Sequence, residues 1–202
     1  MEDGLSVVHL LGKPTPGTDR EAVIAAVKAA EAEDCQVITA AMLGHKADIC
    51  FMALCADWRT LRNLQTALRH AGIDVVDSYV SITEVSEYAK GMPAEMLRGR
   101  LHPVIPPEGL NAFCFYPMSK KREAHANWYS TPYERRQEMM MEHGSSGRKF
   151  AGKVAQVISG STGLDDFEWG VTLFAKSPDC LLYTSDAADD PTLVVVGGVG
   201  GG

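Results

Sequence analysis

Two apolar runs, CQVITAAML and ADICFMALC, stand on either side of the tripeptide GHK. A link this short forces an antiparallel pair, because a parallel pair needs a crossover of a dozen residues or more. The flanks of that pair are equally telling. Upstream, LSVVHLL (5–11) reads as a strand. Thr18 and Glu21 then form a capping box before AVIAAVKAAEA, where Val23, Ile24 and Val27 share one helical face. Downstream, Leu61, Leu64 and Leu68 mark a second helix stopped by Gly72, and IDVVDSYVSI returns as a strand. The order is β-α-β-β-α-β, the ferredoxin-like unit.

A second unit begins after a proline-rich stretch. LNAFCFY (110–116) is a strand, and TPYERRQEMMMEHG opens a helix with Thr131 as N-cap, Pro132 at the first helical position and Glu134 closing the box. KVAQVIS (153–159) and FEWGVTLFA (167–175) supply two more strands. The expected fold is therefore α+β, with two ferredoxin-like repeats packed into one eight-stranded dimeric α+β barrel and the second repeat incomplete. The expected organisation is an N-terminal repeat at 1–90, a linker at 91–108, a C-terminal repeat at 109–179 and a tail at 180–202. The tail, CLLYTSDAADDPTLVVVGGVGGG, has neither a helical stripe nor strand alternation, and its first part looks like translated adapter sequence. It is expected to be non-native or disordered and to pack poorly.

Charge narrows the function. With 19 Lys and Arg against 26 Asp and Glu, the net charge of −7 argues against nucleic-acid or anionic-membrane partners. No apolar run approaches the roughly 18 residues that span a bilayer, and the acidic start MEDGLSVVH is unlike a secretory leader. Five cysteines with no CxxC spacing read as reduced core thiols, and hence as a cytoplasmic protein.

Within that frame a few residues could carry chemistry. His143, in MEHGSSGRKFAG, has Gly144 beside it and Gly147 one turn on, so its imidazole has a bare shoulder. Such a histidine suits a flat ligand whose iron takes the ring nitrogen, or is a surface residue favouring the helix dipole. Alternation puts Val154, Gln156 and Ile158 on one strand face and Ala155, Val157 and Ser159 on the other. Gln156 is thus an edge polar residue or a donor aimed into a cavity. Arg100 and His102 lie in the proline-rich segment, where a solvated loop is the commoner outcome. Two basic clusters, Lys120, Lys121 and Arg122, then Arg148 and Lys149, suit a small polyanion. The methionine run 139–141 reads as core filler. Zinc, P-loop, dinucleotide and nucleophile-elbow motifs are missing from the sequence.

Taken together, FCFYPMSKKR, NWY, PYERRQEMMMEHGSSGRKFAGKV and GSTGLDDFEWGVTLF resemble the coproheme decarboxylases, peroxide-dependent haem synthases of the chlorite dismutase-like superfamily. The resemblance covers about residues 4–179 and is to the actinobacterial type. It implies a cytoplasmic homopentamer. Its substrate would be Fe-coproporphyrin III (coproheme), acting as its own redox cofactor with hydrogen peroxide, and its product haem b. Residue by residue, Tyr116 matches the redox-active tyrosine, His143 the proximal iron ligand and Gln156 the distal-side glutamine. Arg100 and the run Tyr116, Pro117, Met118, Ser119 and Lys120 match substrate-binding positions. His102 falls at the distal base, Trp128 lies beside the porphyrin, and Arg148 lies near a propionate. Tyr116 is expected to end its strand so that its phenol reaches a propionate. The family's closing helix and strand carry an Arg and a Ser for propionates, and the tail supplies neither. Alternatives are a chlorite dismutase-like peroxidase, which has no need of the YPMSK tyrosine and lysine, or a non-catalytic haem-binding protein on the same barrel. Dye-decolourising peroxidases fit less well, because no GxxDG is present.

Overall fold

The computed structural model describes residues 4–180 and the short segment Val194–Val196. The first repeat comprises β1 (Ser6–Pro14), α1 (Arg20–Glu31), β2 (Gln36–Ala41), β3 (Ile49–Cys55), α2 (Trp58–His70) and β4 (Ile73–Thr83). Helix α3 (Ala94–Leu101) follows, inside the stretch read from sequence as a linker. The second repeat holds β5 (Ala112–Lys120), α4 (Tyr133–Arg148), β8 (Val154–Gly160) and β9 (Trp169–Ala175). Between β5 and α4 a small hairpin, β6 (Arg122–Glu123) and β7 (Ala126–Asn127), runs into a 3₁₀ turn at Trp128–Ser130.

All the longer strands, with β10 (Val194–Val196), join one eight-stranded sheet in the order β10-β5-β9-β8-β4-β1-β3-β2. Each half has the same internal order. In the first, β4-β1-β3-β2 is the ferredoxin-like arrangement; in the second, β10-β5-β9-β8 repeats it, and the halves join where β4 meets β8. The fold is mixed α+β with a duplicated repeat, as the sequence pattern implied.

Helix termini differ in detail from the sequence expectation. Asp19, not Thr18, caps α1, accepting from the backbone N–H groups of Glu21 and Ala22. Thr18 instead donates its hydroxyl to the Gly72 carbonyl, tying the start of α1 to the end of α2. Gly72 makes that close approach at φ +91°, where a side chain would strain the backbone. At α4 the cap is Pro132, and Thr131 turns back to bond the Asn127 carbonyl.

The sheet has two differently filled faces. Outside the first repeat, Leu61, Leu64 and Leu68 of α2 and Ala26 and Ala30 of α1 pack on Val8, Leu10, Phe51 and Ala53. The opposite face carries Val7, Met52 and Leu54 from the first repeat against Val157 and Phe174 from the second. Only a curled sheet brings these together, so this is a barrel interior. It also holds a polar belt. His9, fully buried, stacks on Phe115 with ring centroids 3.8 Å apart and shares a 2.9 Å hydrogen bond with the Thr172 hydroxyl. Ser81 pairs with Ser159, and Tyr79 with Ser161. Burial lowers the His9 pKa to about 3 and raises that of Tyr79 to about 12.

Two further expectations need correction. Cys35 and Cys55 are joined as a disulfide, not kept as separate thiols; Cys50 and Cys114 are free. The pairing follows from register: Gln36 faces Leu54, so the next pair outward is Cys35 and Cys55, at a Cα separation of 4.5 Å. The tail also gives a strand that its sequence did not suggest. Val194–Val196 pairs antiparallel with Met118–Lys120, in the position that β4 holds in the first repeat. Three β-branched residues suit the otherwise open edge of β5. The rest of the tail expectation falls on 181–193 and 197–202, outside the described residues.

Candidate functional site

Strand β5 does not stop at Tyr116. It runs through the Tyr-Pro step to Lys120, with Tyr116 opposite Val171 and Pro117 opposite Gly170. The β10 ladder begins only at Met118, so at Pro117 the described pairing is on the β9 side alone. That edge condition is the one under which a strand accommodates proline. Directly opposed residues share a sheet face. Phe113 and Phe115 belong to the barrel interior, so Pro117 and Ser119 point the same way, while Cys114, Tyr116, Met118 and Lys120 face outward. Of the YPMSK run, then, the tyrosine, methionine and lysine share the outer face; Pro117 is buried on the other side.

Gln156 joins the outer face. It lies opposite Leu173, which lies opposite Cys114, and Ile158 lines up with Val171 and Tyr116 in the same way. Val157 and Ser159 are buried on the interior side, whereas Gln156 and Ile158 are exposed. Burial raises the pKa of the Cys114 thiol on this face.

Helix α4 links β5 to β8, which lie either side of β9. In the first repeat α1 likewise links β1 to β2 either side of β3, and α2 links β3 to β4 either side of β1; by that equivalence the place of α4 is on the outer side of the sheet. Here the two repeats part company. Helix α2 buries three leucines, but none of the sixteen residues of α4 is buried. Most helical stability in proteins comes from packing an apolar face, and α4 has little of it from the chain itself. His143 and Gly144 are half-buried, Met139 and Met140 likewise, and Met141 is exposed. A Cβ built on Gly147 meets nothing within 4 Å, and one on Gly144 meets only the Arg148 guanidinium at 3.9 Å. The bare shoulder beside His143 is therefore real, and a flat group could lie against it. Arg148 closes the helix in an exposed position.

The other sequence-derived candidates are more spread. Arg100 is exposed on α3, and His102 is its exposed C-cap residue. Two clamps anchor their segment. Thr83 donates its hydroxyl to the Leu101 carbonyl at 2.6 Å, and the Gln36 amide bridges the Pro103 carbonyl and the Ile105 N–H. Trp128 is buried in the 3₁₀ turn, with the Lys120 ammonium 4.4 Å above its ring. Tyr88 meets Trp128 edge-on and stacks on Tyr133, with the Arg136 guanidinium over both tyrosines.

Sequence reasoning missed Glu168, which precedes β9. Its buried carboxylate accepts from the Lys120 N–H at 2.8 Å, the Arg122 guanidinium and the Tyr129 phenol. Its own N–H donates to the Ser119 hydroxyl at 3.1 Å. Burial first, then this carboxylate, pushes the Tyr129 pKa up. The signal was present: one acid in an otherwise apolar stretch, FEWGVTLF.

This combination, a duplicated ferredoxin-like barrel with a lone histidine on the helix over its second sheet face, defines the class to which comparison points. The chlorite dismutase family profile matches residues 19–182, and the chain belongs to that family. Among solved structures it is similar to a haem-binding protein from Thermus thermophilus. The two are 29% identical, with 97% of this chain and 89% of that one covered and a TM-score of 0.83. Chlorite dismutase from Candidatus Nitrospira defluvii shares the fold at lower identity. One mutant form of that enzyme is 15% identical over 93% of this chain and 83% of that one, with a TM-score of 0.67. Its complex with imidazole is 16% identical over 94% and 84%, with a TM-score of 0.66.

Proposed function

We propose that this protein is a coproheme decarboxylase, converting two propionates of Fe-coproporphyrin III to vinyl groups with hydrogen peroxide. The observation that supports the reading is the shared outer face of Tyr116, Met118, Lys120 and Gln156, in the same repeat as helix α4, whose His143 has an open glycine shoulder. Among the described residues no three His, Cys, Asp or Glu side chains converge on a metal, so an iron held by His143 would bring its other ligands in a macrocycle.

The bound coproheme would supply iron that accepts oxidising equivalents from peroxide. The chain does the rest. His143 holds the metal from α4, and Gln156 faces the porphyrin from β8. Lys120 and the neighbouring cations, with Arg100 and Arg148, pair with propionates. His102 accepts the first proton from peroxide. The Tyr116 phenol gives up a hydrogen atom and, as a radical, takes one from a propionate β-carbon. A second electron leaves to the remaining oxidising equivalent of the peroxide, so that carbon dioxide departs and a vinyl group remains. For each propionate carboxylate, one peroxide and one proton yield one carbon dioxide and two waters.

A simpler reading, haem binding without catalysis, is favoured by the likeness to the Thermus haem-binding protein. Carbon dioxide release separates the two. Peroxide added to the coproheme complex should liberate carbon dioxide, and Tyr116→Phe should bind coproheme with unchanged affinity yet liberate almost none. A Tyr116→Phe protein turning over at the parent rate would refute the radical step. A parent that releases no carbon dioxide would leave the binding reading.

A further inference from the structure

We propose that Glu168 is a positioning residue that fixes where the cations of the Ser119–Arg122 segment stand, and so sets the preference for a porphyrin with many carboxylates. The inference rests on the coproheme reading above. Three donors converge on one buried carboxylate: the Lys120 N–H, the Arg122 guanidinium and the Tyr129 phenol. A fourth bond, from the Glu168 N–H to the Ser119 hydroxyl, fastens the same two segments together. One side chain thus joins the entry to β9, the end of β5, the hairpin and the 3₁₀ turn.

The geometry has a consequence for the cations. Arg122 is held by the carboxylate and also lies 4.5 Å from the Tyr129 ring centroid. Lys120 has its backbone fastened to the same carboxylate while its ammonium lies over Trp128. Glu168 therefore acts on the ligand only through them. Only a carboxylate can satisfy this set, because all three partners are donors. An amide of the same shape has one acceptor oxygen and turns an NH₂ toward a donor.

The test compares metal-free coproporphyrin III, with four propionates, against protoporphyrin IX, with two, by fluorescence titration of the whole chain. Wild type should prefer coproporphyrin by about tenfold or more, the range expected of one or two added charge-assisted pairs. Glu168→Gln should narrow that preference by about tenfold, and Glu168→Asp, which keeps all acceptor sites, should hold it within about threefold. An unaltered preference in Glu168→Gln, or equal weakening toward both porphyrins, overturns the inference and leaves the coproheme reading intact. A wild type without the preference overturns both. Should Glu168→Gln fail to fold, Tyr129→Phe decides by the same ratio. Loss of that one donor should cost about threefold in preference, and no change overturns the inference.

Discussion

His9 should make the whole barrel sensitive to acid. Its ring lies inside the barrel, flat against Phe115 of β5, bonded to Thr172 of β9 and opposite Tyr79 of β4 and Met52 of β3. No carboxylate is among these neighbours, and its Nδ1 has no hydrogen-bond partner. A protonated ring there would be a buried, uncompensated charge, which is why its pKa falls from 6.5 to about 3. The sign follows. Only the unfolded chain takes up the proton, so stability is whole above about pH 6.5 and is lost as the pH falls toward 3. Between pH 7 and pH 4.5 this one group should cost about 2.5 kcal/mol. Replacing His9 with Leu removes the titration but leaves the Thr172 hydroxyl unpaired, at about 1–3 kcal/mol at neutral pH. Urea midpoints for both proteins across pH 4.5–7 test the argument; carboxylate titration is common to both, so their difference isolates His9. The two curves should converge by about 2.5 kcal/mol on acidification. Parallel curves would refute it and imply that the ring finds a partner when protonated.

Two other expectations concern the ligand site and the core. His143→Ala should lose the five-coordinate, histidine-ligated absorption of bound coproheme and weaken binding by about tenfold or more; an unchanged spectrum would remove His143 as the metal ligand. Leu68→Ala, at a fully buried position between α2 and the first-repeat sheet, should cost about 2–5 kcal/mol by urea unfolding while leaving the porphyrin spectrum unchanged.

The sequence by itself determined the alternation of strands and helices. Leu61, Leu64 and Leu68 announce a buried stripe, GHK an antiparallel pair (joined by the longer loop 42–48, not by the tripeptide alone) and Gly72 a helix stop, because each depends on contacts only a few residues apart. For the same local reason the strand parity placing Gln156 opposite to Val157 was legible, as was the glycine shoulder of His143. What tertiary structure decided depends on register between distant segments. Whether Cys35 meets Cys55 turns on which residue of β2 faces which of β3. Whether His9 is a core residue turns on the curl that brings β9 and β5 over β1. The Tyr-Pro step ends no strand, because sheet position, not proline alone, governs the ladder. Glu168 gains its importance only when residues 119, 120, 122 and 129 fold back onto it. Local pattern sets each element's faces. Which faces meet is a property of the curled sheet, where a shift of one residue exchanges inside for outside.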